Sequence, residues 1–345
     1  MPYFVGLDAS KKTTHICVVD RSGAVVQTGV VETSPKAIAG FLRGQGRRYV
    51  RVGAEAWAIS SWLYEGLARA GLPIVLIDAR HAHGLLKSQR NKTDKNDARG
   101  IADLMRIGAY RPVHVKSAAS QEIRTLLTAR AMLTLKAHDI ANFIHGALLG
   151  AGLKLAKLQR RTYEARVEAL IANNAFLKSL VEPLLRARAA ILLERDGIEA
   201  RLLAAARADP VCKRLMTAPG VGELTALIYR SSIDEPGRFP RSRAVGPHLG
   251  LTPRTYQSGD AEWRGRITRC GDGLLRRALV TAAMTSLKKN TRESWLKVWA
   301  RGVAERQGGM KAGIAVARRL AVVLHSMWVT QTDFRWERST QAERG

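Results

Sequence analysis

The sequence predicts a mixed α/β sheet followed by two mainly helical regions, and three observations predict this fold class. Three short apolar runs follow one another directly, at 3–8, 14–20 and 24–31, which is typical of consecutive strands. Helical and strand patterns then alternate up to residue 107, which favours a sheet with mixed strand directions. Strand patterns disappear after residue 115, where Ala, Leu, Arg and Glu dominate.

The first region, 1–115, contains two apolar strands that end in an acid. The run at 3–8 ends in Asp8, and the strand predicted at 49–54 is followed by Glu55. The remaining elements predicted here are a strand at 73–77 and helices at 35–44, 61–70 and 94–107.

The composition indicates a folded protein with a polyanionic partner. The chain has 345 residues, 46% of them hydrophobic, and 56 Lys and Arg against 29 Asp and Glu give a net charge of +27. Hydrophobic content of this size argues against a disordered tail. The positive charge favours binding to nucleic acid, because neutralising phosphates releases counterions. The alternative is a basic protein with a merely solvated surface.

The cysteines and the apolar runs bear on localisation. Cys17, Cys212 and Cys270 lie far apart, without zinc-site spacing or an even disulfide framework. Met1 leads directly into a strand-like run, and no apolar stretch is expected to reach membrane-spanning length. We therefore expect a cytoplasmic protein with no membrane association.

The second region, 116–208, is predicted to be a helical arm with coiled-coil character. An apolar residue recurs every seven positions, at Leu170, Leu177, Leu184, Ile191 and Ile198. Such a repeat is typical of a seam between helices. Either the arm joins two subunits, or its helices pack within their own domain. Pro183 is expected to begin a new helix or to kink a long one.

The third region, 209–345, opens on a glycine-containing turn. Pro219-Gly220-Val221-Gly222 lies between helical patterns that end at Met216 and begin near Leu224. This arrangement suits a helix-hairpin-helix, in which backbone N–H groups of the turn face a phosphate. The same four residues also occur in ordinary turns.

Four acids form a candidate metal site. Asp8 and Glu55 end strands that can be neighbours in the sheet, and Asp94 and Asp97 share one helix face. Converging carboxylates suit Mg²⁺, which prefers oxygen ligands, and a pair of such ions can assist phosphoryl transfer. Taken singly, each acid also has an ordinary explanation as a turn residue, a helix cap or a solvated side chain.

Gly6-Leu7-Asp8 would also suit an actin-like or sugar-kinase nucleotide-binding domain. That class of protein needs a second glycine-rich phosphate loop and an adenosine motif, and the sequence contains neither.

A basic segment near residue 260 contains two hydroxyl side chains. Tyr256 and Ser258 lie in a predicted loop or hairpin, with three arginines after them, at Arg264, Arg266 and Arg269. Composition alone would describe a basic loop with a turn at Ser258-Gly259.

From residue 4 to about 330 the chain resembles the bridge-RNA-guided insertion-sequence transposases of the IS one-ten family. Six stretches carry the resemblance: GLDASKK at 6–12, EAW at 55–57, NKTDKNDAR at 91–99, PGVG at 219–222, LGLTPR at 249–254, and SG with RGRITRCGDGLLRRAL at 258–279. The NKTDKNDAR stretch together with the later serine block is specific, whereas GLD alone is not. The sequence departs from many members at Ala56-Trp57, where a small residue and a glycine are usual.

The resemblance implies an RNase H/RuvC-like DEDD domain over 1–115, a helical arm over 116–208 and a serine transposase domain over 209–345. Asp8, Glu55, Asp94 and Asp97 match the DEDD set, which would bind Mg²⁺ or Mn²⁺, and Ser258 matches the serine nucleophile. Nucleic-acid contacts are expected at Lys92, Gly220, Gly222, Arg254, Arg264, Arg266 and Arg269.

The partners implied by the resemblance are donor and target DNA, a non-coding bridge RNA and further copies of the chain in a dimer or tetramer. The site would be composite, and the family favours assembly across subunits. The protein would be associated with the nucleoid.

Three other functions stay open. The chain could be a RuvC-like nuclease or junction resolvase that uses metal-bound water, with Ser258 structural. Tyr256 could be the nucleophile instead, as in tyrosine recombinases. The chain could also bind nucleic acid without catalysis.

Overall fold

The computed structural model describes residues 1–44, 46–86, 93–156, 162–258, 261–288 and 292–337. The chain forms two compact units, Met1–Lys116 and Ser117–Gly345. The second unit contains both the predicted helical arm and the predicted C-terminal domain, and the division between them at residue 209 stays a prediction.

The first unit alternates strands and helices as the sequence pattern predicts. Its elements are β1 (Tyr3–Ala9), β2 (Thr13–Val19), β3 (Val25–Glu32), α1 (Pro35–Arg43), β4 (Tyr49–Glu55), α2 (Ser60–Arg69), β5 (Ile74–Ile77), α3 (Ala79–Leu86) and α4 (Asp94–Ile107). Helix α3 was not predicted from the sequence.

The strands form a mixed sheet in the order β3-β2-β1-β4-β5. Strands β1, β2 and β3 are antiparallel neighbours, whereas β4 and β5 run parallel to β1. The predicted mixed sheet is therefore confirmed. Because β1 and β4 are parallel neighbours, their carboxyl ends meet at the same edge of the sheet.

Each face of this sheet packs against helices. Val5 and Leu7 of β1 lie in the apolar cluster that α1 and α2 cover. Phe4, on the opposite face, lies in the cluster that α4 covers. Side chains alternate between the two faces along a strand. Gly6 and Asp8 therefore belong to the α4 face.

Two glycines allow α4 to lie directly on the sheet. A Cβ atom at Gly6 would lie 2.0 Å from the carbonyl oxygen of Ala98, and one at Gly53 would lie 2.7 Å from Met105. Gly6 and Gly53 are paired across β1 and β4. Since no larger residue fits at this crossing, the glycine pair determines how closely α4 approaches the strands.

We expect Gly6→Ala to loosen α4. The added methyl group would meet backbone atoms of Ala98 and Ala102, which cannot rotate away. Overpacking of this kind costs about 1–3 kcal/mol. Hydrogen exchange of the α4 amides in the full chain should accelerate. The matched control is Gly40→Ala in α1, where a Cβ meets nothing within 4 Å; unchanged α4 exchange in Gly6→Ala would contradict the packing argument.

The second unit is mainly helical and carries one β-hairpin within its described residues. Its elements are α5 (Ala118–Gly150), α6 (Tyr163–Ile171), α7 (Ala175–Ala208), α8 (Pro210–Leu215), α9 (Glu223–Ile233), α10 (Val245–His248), β6 (Pro253–Ser258), β7 (Ala261–Ile267), α11 (Gly273–Ser286), α12 (Trp295–Gln307) and α13 (Gly309–Thr330).

Helices α5 and α7 form a long antiparallel pair. Ile144 near the end of α5 clusters with Leu177 near the start of α7, and Leu127 near the start of α5 clusters with Leu202 near the end of α7. At least part of the predicted seam therefore packs within the chain. Of the two outcomes expected at Pro183, a new helix is excluded because α7 continues through it, whereas a kink stays a prediction. The arm's coiled-coil role between subunits stays a prediction.

Helix α13 is the central helix of the second unit's core. Its length of 22 residues and mean hydropathy of 1.3 would suffice to cross a membrane, so the expectation that no stretch reaches that length is wrong. However, 56% of its apolar stretch is buried inside the protein. Leu320 and Leu324 are fully buried in the main core cluster, which is typical of a core helix.

His325 of α13 is a buried polar group in this core. Its Nδ1 and Nε2 lie 2.9 Å and 3.0 Å from Ser242 Oγ and the carbonyl oxygen of Pro236. Burial lowers its pKa, with the nearby Arg238 guanidinium acting in the same direction. The neutral imidazole is therefore the form that the folded protein favours, with Nε2–H donating to the Pro236 carbonyl.

Candidate active site

Asp8 and Glu55 lie at neighbouring positions in the sheet. The parallel register of β1 and β4 pairs Gly6 with Gly53 and Leu7 with Ala54. The next residue of each strand is the acid, Asp8 in β1 and Glu55 in β4. Both acids are half-buried. Since each lies two residues beyond a glycine that faces α4, both belong to the α4 face.

The first turn of α4 carries the other two acids. Thr93 is the N-cap, because its side chain accepts a hydrogen bond from the Asn96 amide. The explanation of Asp94 as the helix cap is thereby excluded. Asp97 is half-buried and Asp94 is exposed. Their carboxylates are also stabilised by the positive end of the helix dipole.

Successive residues on one face of β4 contact successively earlier turns of α4. Arg51 Nη1 donates to the carbonyl of Met105 at 2.7 Å, and a Cβ on Gly53 would meet Ile101 as well as Met105. Strand and helix are thus antiparallel. One further step along the same face of β4, about 6.6 Å, brings Glu55 toward the turn that contains Asp97.

His15 also lies in this site, and it was not predicted from the sequence. It pairs with Asp8 across β1 and β2, and its Nε2 lies 3.6 Å from Asp94 Oδ2. The hairpin turn is fixed by Ser10, whose hydroxyl donates to the Thr13 carbonyl at 2.7 Å and accepts the Thr13 amide. Recognising this tight turn would have revealed the pairing of Asp8 with His15.

The side chains of the four acids do not form a closed metal-binding cluster in this structure. Among the described residues, no group of three or more His, Cys, Asp or Glu side chains has the geometry to hold a metal ion. The strand register places Asp8 beside Glu55. Asp94 lies at the same edge of the sheet, because it contacts His15, which pairs with Asp8. All four donors are carboxylates, which are the hard oxygen ligands that a divalent cation such as Mg²⁺ requires. The donor set therefore fits such an ion.

The thiols of Cys17 and Cys212 are less reactive than an exposed cysteine thiol. Burial raises the pKa of the Cys212 thiol to about 12 and also raises that of Cys17. Both are therefore neutral thiols at physiological pH and poor metal ligands or nucleophiles.

The predicted serine lies at the end of a strand in the second unit. Ser258 is the last residue of β6 and pairs with Ala261 of β7. Only its backbone is described, and the turn at 259–260 lies outside the described residues. The loop or hairpin expected here is a two-stranded antiparallel hairpin.

The chain segments that enter and leave this hairpin are closely packed against each other. A Cβ on Gly250 would lie 2.4 Å from the Cys270 amide nitrogen, and one on Gly271 would lie 2.2 Å from the His248 carbonyl oxygen. Both glycines also have positive φ angles, of 63° and 73°, which L side chains rarely adopt. The hairpin therefore emerges from a fixed position.

An ion pair holds the chain just after the hairpin. Asp272 caps α11 by accepting the amides of Leu274 and Leu275. Its Oδ2 also accepts hydrogen bonds from Arg124 at 2.5 Å and Ser232 at 2.8 Å. Burial opposes ionisation of Asp272, but Arg124, Ser232 and the Leu275 amide outweigh it and lower the pKa of this carboxyl.

The predicted nucleic-acid contacts have different surroundings. Arg254, Arg266 and Arg269 are exposed. Lys92 lies outside the described residues, and only the backbone of Arg264 is described. Their roles stay predictions.

The glycine turn before α9 has a packing explanation for one of its glycines. A Cβ on Gly220 would lie 2.1 Å from the Ala282 carbonyl oxygen of α11, and its φ is 76°. Gly222 is exposed, is the N-cap of α9 and has open space around it. The predicted phosphate-binding role of this turn therefore concerns Gly222 more than Gly220, and it stays a prediction.

Two family models match the chain. The model described as "Transposase IS116/IS110/IS902 family" matches residues 212–297, which include Ser258. A model of DEDD transposases, described as "Transposase", matches residues 5–152, which include all four acids.

Curated relatives match over almost the whole chain. The "Transposase for insertion sequence element IS1111A" of Coxiella burnetii is 30% identical over 338 residues, covering 96% of this chain and 91% of that protein. A "Probable family 20 transposase" of Pseudomonas aeruginosa is 26% identical over 347 residues, covering 96% and 98%.

Among solved structures, "T. thermophilus RuvC in complex with Holliday junction substrate" matches with a TM-score of 0.24 and 16% identity, over 33% of this chain and 100% of that chain. The mixed sheet of the first unit is established by its own strand order. Relatives of full length and two matching family models lead to one conclusion. The chain belongs to the IS116/IS110/IS902 family of transposases, enzymes that cleave and transfer DNA strands.

Proposed function

We propose that the enzyme cuts and rejoins DNA through a covalent phosphoserine at Ser258, assisted by a divalent metal ion at the acids and guided by a bridge RNA. The observation that carries the proposal is the register that brings Asp8 and Glu55 together on the α4 face. The position of Ser258 at the end of β6, in the β6–β7 hairpin, supports the proposal of a covalent phosphoserine.

The acids would hold Mg²⁺ or Mn²⁺. Asp8 and Glu55 would supply oxygen ligands from the sheet, and Asp97, with Asp94 beside it, would supply them from α4. Bound there, the metal would offset charge on the reacting phosphate and on the attacking and leaving oxygens.

Ser258 would act as the nucleophile. Its hydroxyl oxygen attacks the phosphorus of a phosphodiester, a P–O bond to the serine forms, and the P–O bond to the deoxyribose breaks. The serine hydroxyl loses its proton and the departing deoxyribose oxygen gains one, so the leaving group is a hydroxyl and the protons balance. The phosphoester bond is retained, so the reverse attack by a strand end rejoins DNA without ATP.

Arginines of the hairpin would support the phosphate. Arg266 and Arg269 are exposed near the base of β7, and guanidinium groups bind phosphate oxygens in a bidentate geometry. Because Ser258 lies at the other end of the hairpin, these two arginines would bind phosphates of the flanking strand.

The guide RNA would supply sequence specificity. A chain with net charge +27 has sufficient basic surface for both RNA and DNA. Purification of the tagged protein from cells carrying the element tests this part, because sequencing should return an element-derived non-coding RNA. Its absence, in a preparation that is active on DNA, would remove RNA guidance from the proposal.

Trapping protein–DNA adducts tests the covalent step. We expect the wild type and Tyr256→Phe to form a denaturant-resistant adduct with a nicked or suicide DNA substrate, and Ser258→Ala to form none. An adduct that survives in Ser258→Ala but disappears in Tyr256→Phe would assign the reaction to the tyrosine.

A metal-dependent nuclease or junction resolvase is the second candidate, because the arrangement of the acids supports it without any role for Ser258. In that case Ser258→Ala would cleave DNA at the wild-type rate and no variant would form an adduct. Mixing Ser258→Ala with Asp8→Ala addresses the composite site. Restored strand exchange would support sharing between subunits, and failure in a verified mixed oligomer would place both groups in one chain.

A further inference from the structure

Two large aromatic side chains lie side by side on the surface of the β6–β7 hairpin. Tyr256 is 51% exposed and Trp263 is 65% exposed. Their ring centroids are 5.2 Å apart with an interplanar angle of 32°. Apolar rings of this size gain free energy from being covered, so a pair left open to solvent indicates a surface that meets another molecule.

Contacts within the hairpin account for one face of the ring pair. Tyr256 and Trp263 are directly opposite each other in the antiparallel register. A Cβ on Gly265 would be in ordinary contact with both rings, at 3.5 Å from Trp263 and 3.6 Å from Tyr256. The rings therefore cover the backbone at this glycine, as aromatic side chains often do for strand glycines. Their remaining area is still exposed.

The position of the pair relates it to the reaction. Ser258 follows Tyr256 by two residues in β6, and Ala261 precedes Trp263 by two residues in β7. Two residues of a strand span about 6.6 Å, which is comparable with the spacing between neighbouring nucleotides of a strand. A nucleotide held on the rings would thus lie one step from a phosphate at the end of the hairpin.

The charge around the pair favours a nucleic acid over a protein or lipid partner. Arg254 precedes Tyr256 in the same strand, and Arg266 and Arg269 follow in β7 and just beyond it; all three are exposed. Aromatic rings that stack on bases, next to arginines that bind phosphates, are the usual combination for binding unpaired nucleotides.

We infer that Tyr256 and Trp263 form a stacking platform for an unpaired nucleobase of the DNA strand next to the phosphate that Ser258 attacks. The ligand class is single-stranded DNA, without preference for one base, because every base presents a π face. The inference rests on the proposed function and assigns Tyr256 a role through its ring rather than its hydroxyl group.

Binding of a single-stranded probe tests the platform apart from catalysis. The probe is a fluorescein-labelled mixed-sequence strand of about 20 nucleotides, long enough for such a site. The full-length protein carries Ser258→Ala in every sample, so no adduct forms. We expect Trp263→Leu and Tyr256→Leu each to weaken binding by about 5- to 150-fold. Tyr256→Phe, which keeps the ring, should bind like its parent.

The controls separate stacking from folding and from association. Phe176→Leu changes an aromatic residue that is 72% exposed on the arm, and should leave binding unchanged. Trp263→Phe keeps an aromatic ring over Gly265 and should retain most of the affinity, which identifies a loss in Trp263→Leu as a loss of stacking. Equal affinity of Trp263→Leu and its parent for the probe would overturn the inference.

Two further outcomes distinguish this inference from its alternatives. If Trp263→Leu reduces the oligomer mass in light scattering while probe binding stays the same, the rings contact a second copy of the chain and the inference is wrong. If stacking is lost as expected but Ser258→Ala proves fully active in strand joining, the platform stands and the phosphoserine proposal fails.

Discussion

Asp8→Asn is expected to lower the rate of DNA strand cleavage by about 10³-fold, which corresponds to about 4 kcal/mol of transition-state stabilisation. Asparagine keeps the shape of the side chain but removes the charge that would bind a divalent cation. Asp8 is half-buried near the end of β1 and lies beside Glu55 by register. Cleavage of a labelled DNA substrate across a range of Mg²⁺ concentrations measures the effect.

The matched control for this prediction is Glu65→Gln. Glu65 is a carboxylate of the same unit, in an exposed pair with Arg69 on α2, and exposed pairs contribute little. Thermal unfolding of both variants should resemble that of the wild type. Wild-type cleavage by Asp8→Asn at low Mg²⁺ would exclude Asp8 from the site.

Asp272→Asn is expected to destabilise the second unit by about 3 kcal/mol, since breaking a buried ion pair leaves the partner charge uncompensated. The side chains of Arg124 and Asp272 are 27% and 15% exposed, so the pair is largely withdrawn from water. The amide group would still cap α11 in part, but it would leave Arg124 without its anion. Urea unfolding of the full chain and hydrogen exchange in α11 measure the loss.

The pH dependence of this loss has a definite sign. The pKa of Asp272 is lowered in the folded protein, so its ionisation stabilises the fold above the unfolded-state pKa of about 4. This contribution disappears as the pH falls through the lowered folded-state pKa. The difference in unfolding free energy between wild type and Asp272→Asn should therefore be constant near neutral pH and decrease below about pH 4.

Glu223→Gln serves as the matched control for Asp272→Asn. The pair of Glu223 with Arg207 is more exposed, at 35% and 64%, and its loss should cost less than about 1 kcal/mol. Equal losses of stability in the two variants would show that the Arg124–Asp272 ion pair does not stabilise the second unit.

The sheet could be predicted from the sequence because its signals are local. Apolar runs and turn residues marked β1 to β5 to within a few residues, and the acids at the ends of β1 and β4 suggested their convergence. Helix α3 escaped prediction because it is only eight residues long, so its apolar period extends over little more than two turns. The continuity of α7 through Pro183 depends on packing against α5, which a local rule about proline does not include.

The surroundings of the site depend on contacts between distant parts of the chain, and these could not be predicted. Nothing local in Gly6 or Gly53 shows that α4 lies on both. The pairing of Arg124 with Asp272 joins residues 148 positions apart. His15 was within reach of sequence reasoning, through the turn at Ser10, but its contact with Asp94 required the position of α4.

The residue that becomes linked to DNA shows whether the acids and Ser258 take part in one reaction. Protein trapped on a nicked substrate is digested, and the nucleotide-bearing peptide is mapped by mass spectrometry in wild type and Asp8→Asn. We expect a phosphodiester link on Ser258 in the wild type and almost none in Asp8→Asn. A link on another residue, or an undiminished Ser258 link without Asp8, would contradict a single reaction shared by the acids and the serine.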